Sequence, residues 1–245
     1  MSKSKVLAID IENISKTYIS GEIKVEALKH INLEVEYSER ICVLGPSGSG
    51  KTTLLNLLGG ITPPDSDNGH LKIFGDEIHS YNAKQFTTYR RDRVGFIFQF
   101  FNLFPALNAI DNIIIGIDLL RKQLKKEGRS DEDLDTYKIA NKYLENVGLE
   151  ERLFHYPSQL SGGEQQRVAI ARALAKIPFI GKNFILLCDE PTGNLDTDTG
   201  EKILNLMIEL NKEIGITIVL VTHNLSIAKM FATRIIHVRN GILET

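Results

Sequence analysis

The chain has 245 residues, 24% of them charged, and a formal net charge of −2. That length suits one large domain or a domain carrying a lobe. The near-neutral balance gives no global signal for DNA or RNA binding, and no apolar stretch approaches the roughly 20 residues of a membrane-spanning helix. The opening Met-Ser-Lys-Ser-Lys lacks the apolar core of a signal peptide and offers no glycine for myristoylation, so a cytoplasmic location is expected. Cys42 and Cys188 each lie in an apolar run. They are expected as buried thiols, not as a disulfide framework or a zinc site.

In chain order, residues 6–14 alternate weakly and predict a strand, with Tyr18 following before Gly21. Residues 24–28 and 31–35 also alternate, as half-buried antiparallel strands do. The polar turn Tyr37-Ser-Glu-Arg40 leads into an apolar strand, Ile41-Cys-Val-Leu44. The glycine-rich Gly45-Pro-Ser-Gly-Ser-Gly-Lys-Thr-Thr53 comes next, and a helix is expected to follow and stop at Gly59-Gly60. Residues 62–69 are rich in turn formers, and 70–74 form another strand. Residues 86–93 read as a polar helix ending in Arg90, Arg91 and Arg93. Residues 94–98 read as an aromatic strand ending at Gln99. The composition then shifts. Helices are predicted over 109–126 and 135–147, separated by a charged loop at 125–133. Ser161 opens a helix reaching 176, with Glu164 three residues on, as a capping box requires. The apolar runs 183–188 and 215–221 flank an amphipathic helix at 199–213 and end at Asp189-Glu190 and Thr222-His223. Such strands, alternating with helices, predict a parallel sheet covered on both faces. A hairpin turning at Asn240-Gly241 closes the chain.

The glycine loop carries the chemistry. Gly45, Gly48 and Gly50 permit a tight loop whose N–H groups turn inward, and Pro46, Ser47, Ser49 and Thr53 complete it. Strand, loop and helix N-terminus together form an anion site. Lys51 would reach the β- and γ-phosphates of a nucleotide, and Thr52 would place its hydroxyl on Mg²⁺. Asp189, at the end of a buried strand, is the expected second metal contact, with Glu190 beside it to orient or deprotonate water. His223 also ends a strand, where ligands of open α/β sheets gather, and could donate to a γ-phosphate. Gln99 could contact metal or water with its amide. Ser161, Gly162 and Gly163 form a second potential anion site at a helix start. Spacing leaves open whether that site serves the same nucleotide or one on another subunit.

These residues, in this order, resemble ABC transporter ATPases. Leu160-Ser-Gly-Gly-Glu-Gln-Gln166 is similar to the signature sequence of that family, and Leu187-Cys-Asp-Glu-Pro-Thr-Gly193 and Asn194-Leu-Asp196 complete the set. The resemblance covers essentially the whole chain. It implies an α/β P-loop NTPase, an ABC-type nucleotide-binding domain with a mixed parallel sheet core. An N-terminal antiparallel β subdomain and an inserted helical lobe at 100–160 complete the expected fold, with the core at 1–99 and 161–245. It implies ATP and Mg²⁺ as cofactors and a head-to-tail homodimer sandwiching two ATP molecules. Ser161, Gly162, Gly163 and Glu164 of one chain would then cap nucleotide held by the other. It also implies that Tyr18 stacks on adenine, that Thr52, Gln99 and Asp189 contact metal, and that Glu190 is the base. Asp196 would cross the dimer interface, and His223 would be the switch histidine.

Val25-Glu-Ala-Leu28, Arg90-Arg91, residues 94–103 and 189–196 further resemble the lipoprotein-releasing, macrolide-exporter and antimicrobial-peptide-exporter branch. That branch implies a separate membrane permease with an extracytoplasmic domain, docked near Gln99 and the apolar Phe100, Phe101, Leu103 and Phe104. The chain would sit on the cytoplasmic face of the membrane and would need no nucleic acid. Cell-division-associated and importer ATPases share the cassette chemistry and remain alternatives. A soluble relative acting on nucleic acid or ribosomes is disfavoured by the lack of a coiled-coil insertion, second cassette or basic tail. Two segments depart from the family pattern. Tyr37-Ser-Glu-Arg40 replaces a glycine-containing turn, and residues 178–183 are longer than usual and are expected as an extended surface loop.

Overall fold

The computed structural model describes residues 7–65, 69–129 and 134–244. The opening Met-Ser-Lys-Ser-Lys, residues 66–68 of the turn-rich segment and 130–133 of the charged loop lie outside the described residues. The chain divides into two compact units. The first comprises Met1–Phe96, Asn183–Glu190 and Ile208–Thr245, and the second comprises Ile97–Lys182 and Pro191–Met207.

The chain opens with two long strands, β1 (Leu7–Ser20) and β2 (Ile23–Glu36), paired antiparallel. They replace the shorter strands expected at 6–14, 24–28 and 31–35. Asn13 (φ 53°) and His30 (φ 46°) explain the difference. Each takes a left-handed backbone where the register shifts, so side-chain alternation breaks while pairing continues. Side chains stabilise these bulges: His30 N–H donates to Ser15 Oγ at 2.9 Å, and Asn13 N–H to Asn32 Oδ1 at 3.0 Å. Next come β3 (Arg40–Leu44), α1 (Lys51–Leu58), β4 (His70–Ile73), β5 (Asp76–Glu77), α2 (Ala83–Arg93) and β6 (Val94–Ile97). Strands β2-β1-β4-β5 form one four-stranded sheet. The glycine-free turn before β3 works because Ser38 itself adopts φ 62°. Its hydroxyl donates to Gly215 O at 2.8 Å and its N–H to Thr217 Oγ1 at 3.1 Å. Those bonds offset the cost of a non-glycine residue there.

The second unit is helical. In α3 (Ala109–Lys126), Ile110, Ile113, Ile117, Leu120 and Leu124 form one buried stripe. Its start is capped by Asn108, whose side chain accepts from Asp111 N–H at 2.9 Å. It packs with α4 (Thr136–Asn146), capped by Asp135, and with α5 (Gly162–Leu174). A short 3₁₀ turn, Pro157–Gln159, precedes α5. Residues 178–180 correct the expectation of an extended loop. They belong to a short helix, α6 (Ile177–Ile180), which anchors through buried Ile177 and ends at Gly181 (φ 83°).

The chain continues as β7 (Ile185–Asp189), α7 (Thr197–Ile214), β8 (Thr217–Thr222), α8 (Leu225–Phe231), β9 (Arg234–Arg239) and β10 (Ile242–Glu244). The second sheet runs β10-β9-β3-β8-β7-β6. β3 pairs parallel with β8 and β9, β7 pairs parallel with β8, and β10 returns antiparallel through Asn240 (φ 49°) and Gly241 (φ 81°). All six residues of β8 are buried, as are the first four of β7, which is why both read as unbroken apolar runs. Both cysteines are buried here, and burial pushes the Cys42 thiol up to about 12. The core of this unit lies where the inner face of the antiparallel sheet, α1 and the parallel strands meet.

Candidate functional site

The first unit builds its site at the carboxyl ends of β3, β7 and β8. β3 delivers the chain into Gly45, whose N–H donates to Thr222 O at 3.3 Å. Gly48 (φ 76°) and Gly50 (φ 108°) then turn the loop through left-handed backbone that other residues resist. Gly50 is the N-cap of α1 and, among the described residues, no side chain caps that helix, so the N–H groups of its first turn lack a side-chain acceptor. Lys51 is 7% exposed, and its Nζ donates to Gly45 O at 2.9 Å and Pro46 O at 2.8 Å. The ammonium thus folds back over its own loop. Ser49 Oγ is buried without a hydrogen-bond partner among the described residues. An orphan hydroxyl among unclaimed N–H groups and an ammonium fits a ligand rich in acceptor oxygens, such as a polyphosphate.

Beside the loop, Thr52 Oγ1 donates to Asp189 Oδ2 at 3.2 Å. A hydroxyl and a carboxylate make a hard-oxygen pair of the kind Mg²⁺ takes. Among the described residues no cluster of three or more His, Cys, Asp or Glu could hold a metal alone. The pair therefore fits an ion that draws its remaining ligands from phosphates and water. Burial raises the Asp189 carboxyl above its ordinary range; the Thr52 bond opposes this and the Glu190 charge reinforces it.

Glu190 lies one residue past β7 with φ 45°, and its N–H donates to Val221 O at 3.0 Å. Its Oε1 lies 2.7 Å from His223 Nδ1. With an ionised carboxylate, Nδ1 must carry the proton, which leaves Nε2 as the free ring nitrogen. The ends of β7 and β8 thereby join the carboxylate and imidazole, a pairing that sequence spacing does not reveal. Tyr18 sits on β1, 41% exposed, opposite Val25 on β2, with Lys16 Nζ 5.7 Å from its ring centroid.

The other candidate residues belong to the helical unit. Ser161 caps α5: its Oγ accepts from Glu164 N–H at 3.3 Å, and its N–H donates to Glu164 Oε2 at 2.8 Å. Glu164 also accepts from Arg152 Nε at 3.1 Å, a partner the sequence did not suggest. The Ser161 N–H, ahead of the other contacts, holds the Glu164 carboxyl below its ordinary range. Gly162 lies against Leu195 and Phe101, and Gly163 against Thr199, where a side chain would collide. Asp196 Oδ1 accepts from Thr199 N–H at 3.0 Å at the start of α7, which lowers its carboxyl. Gln99 is tied to Asn194. Phe100 and Phe104 are exposed, and Phe101 and Leu103 are half-buried.

A glycine loop between a parallel strand and a helix, with Thr and Asp meeting at a neighbouring strand end, defines a P-loop NTPase. The chain belongs to the ABC transporter family, whose pattern residues 28–193 match. It is 43% identical over 238 residues to the uncharacterized ABC transporter ATP-binding protein MJ0796 of Methanocaldococcus jannaschii, covering 96% of this chain and 95% of that one. It is 39% identical over 237 residues to the lipoprotein-releasing system ATP-binding protein LolD of Syntrophus aciditrophicus, covering 97% and 99%. The dimeric, post-hydrolysis structure of the MJ0796 cassette, bound to ADP and Pi, superposes with a TM-score of 0.81 at 38% identity, covering 97% of each chain. The fold is thus that of an ABC nucleotide-binding domain, with a mixed parallel core, an antiparallel subdomain and a helical region. The chain is an ATP-binding, ATP-hydrolysing subunit of the transporter family. No described helix is long and apolar enough to cross a membrane.

Proposed function

We propose that this chain powers a separate membrane permease, working as a head-to-tail dimer that closes on two ATP molecules. Glu190 carries the reading: a carboxylate held by His223 beside the Thr52–Asp189 pair and the phosphate loop. In this scheme Gly45–Thr53 cradles the phosphates and Lys51 leaves its loop carbonyls for phosphate oxygens. Tyr18 stacks on adenine. Thr52 and Asp189 would hold Mg²⁺, with Gln99 as a further candidate contact, and the ion would supply neutralising charge at the phosphates. Glu190 takes a proton from the attacking water, and His223, with both ring nitrogens protonated, donates its Nε2–H to the γ-phosphate while Nδ1–H stays on Glu190. Ser161 to Glu164 and Asp196 face the partner subunit's nucleotide.

The dimer is supported by the MJ0796 cassette, which is dimeric in its ADP- and Pi-bound structure. Export or extraction of lipoprotein, peptide or drug-like substrates is supported by the likeness to LolD along its whole length. Exposed Phe100 and Phe104 form the apolar contact for the permease, and attachment through it places the chain at the membrane's cytoplasmic face. The nucleotide chemistry belongs to residues 1–99 and 161–245, and residues 100–160 form the lobe that follows the permease.

The test is Glu190→Gln. Hydrolysis should fall about 10²–10⁴-fold, the range for loss of a general base, while ATP binding persists and size-exclusion chromatography with ATP shows a stable dimer. Wild-type turnover would remove Glu190 from the base role. Purification of the native membrane complex should then bring down a permease with an extracytoplasmic domain.

A further inference from the structure

The helical unit ties three of its motifs together through consecutive residues. Asn194 Nδ2 donates to Gln99 O at 2.9 Å, and Gln99 Nε2 donates back to Asn194 Oδ1 at 3.3 Å. The next residue, Leu195, lies beside Gly162 at the start of α5. The one after that, Asp196, caps α7. From the other side, Arg172 of α5 donates to Phe101 O at 3.1 Å and Asn102 O at 2.7 Å, holding the chain just past Gln99. Asn194 is exposed and contributes nothing to the core. Water competes for both bonds, so each contributes only about 1 kcal/mol and the pair can open at little cost.

We propose that Asn194 is a positioning residue for ATP hydrolysis. The two bonds differ in kind. The shorter one grips the Gln99 main chain and survives any rotation of the glutamine side chain. The longer one occupies the side-chain amide and breaks when that amide is needed elsewhere. Asn194 therefore fixes where the Gln99 side chain starts from and gives it a resting partner. Because Leu195 and Asp196 follow directly, the same three residues set Gln99, Gly162 and the start of α7 in one register. This rests on the reading of Gln99 as a metal or water contact.

The experiment compares Asn194→Ala and Asn194→Asp, each alone and with Gln99→Ala, by steady-state ATPase kinetics on the full chain. Aspartate retains an acceptor for Gln99 Nε2 but cannot donate to Gln99 O, so it isolates the main-chain bond. Both single variants should lose about three- to tenfold in kcat, the scale of one neutral hydrogen bond. KM for ATP should stay within about twofold, because a positioning residue acts on the chemical step more than on ground-state binding. Neither should lower Tm, and neither should lose anything further in the Gln99→Ala background. Wild-type kcat in Asn194→Ala, full retention in Asn194→Asp, or an equal loss without the glutamine side chain would each overturn the proposal. Wild-type hydrolysis by Gln99→Ala alone is a separate failure: it would sink the role of Gln99 itself, and this proposal with it.

Discussion

The two units hold their functional residues by different means. In the first, the site grows out of buried parallel strands. Gly45, Glu190 and His223 each lie within a residue or two of a strand end, and main-chain bonds from Gly45 to Thr222 and from Glu190 to Val221 fix their positions. Lys51 is itself buried. In the helical unit, Ser161, Glu164, Gln99 and Asp196 are held by polar bonds near the surface: a capping box, an arginine pair, an amide pair and a helix cap. A site rooted in a sheet is rigid because moving it means moving the core. One stapled by exposed bonds, each contributing about 1 kcal/mol, can rearrange at little cost. The unit carrying the glycine loop is thus the stiff one, and the unit carrying α5 is the adjustable one.

The largest effect expected from this contrast is at Lys51. Lys51→Ala removes the only ammonium folded onto the phosphate loop among its described contacts. Hydrolysis should drop about 10²–10³-fold, as when a preorganised electrostatic donor is deleted, with weaker nucleotide binding in a fluorescence titration. Because the loop is anchored by β3 and α1, global stability should change far less than activity. Parallel losses in both would mean the loop's rigidity depends on the lysine and would blur the contrast.

A smaller effect is expected at Ser161. Ser161→Ala deletes one half of the capping box and should cost about 1 kcal/mol, the usual value of an N-cap side chain. The cost should be local, seen as faster amide hydrogen exchange at the start of α5, with strands β7 and β8 unaffected. Faster exchange in those strands as well would show that the two units open together.

The same contrast explains what the sequence reveals. Helix α3 is visible to the residue, because its buried apolar stripe is a local signal. The strands β7 and β8 are visible because burial on both faces writes continuous apolar runs. The full length of β1 and β2 is not, since the bulges at Asn13 and His30 interrupt the alternation that marks a strand. Helices α6 and α8 are too short for periodicity to register. At the candidate site, residue types and motif order are legible, whereas partnerships between distant residues are not. Glu190 and His223 are 33 residues apart, and Gln99 and Asn194 are 95 apart. Nothing local to either member announces the other. Ser38 is a third case: its left-handed backbone depends on acceptors 177 and 179 residues away, so a serine could not be read as standing in for glycine.

The finest discrimination comes from pH. In the helical unit the Ser161 main-chain N–H is the chief group holding Glu164 below its ordinary value of 4.5; partial burial opposes it, and the Ser161 hydroxyl and Arg152 assist. A carboxyl depressed in the folded state binds its proton less readily there than in the unfolded chain. It therefore adds stability above pH 4.5, and that increment disappears as pH falls from 4.5 through the lower folded value. Glu164→Gln can still accept the Ser161 N–H bond but cannot titrate, so its acid-side stability curve should be shallower in that window. Asp189 supplies the contrast. Its carboxyl is raised by burial, so ionising it costs stability as pH rises through the raised value, and Asp189→Asn should be relatively favoured toward neutral pH. Urea unfolding at a series of pH values would record the two slopes. Equal slopes for wild type and Glu164→Gln would mean that the capping box is held by geometry alone, without its charge.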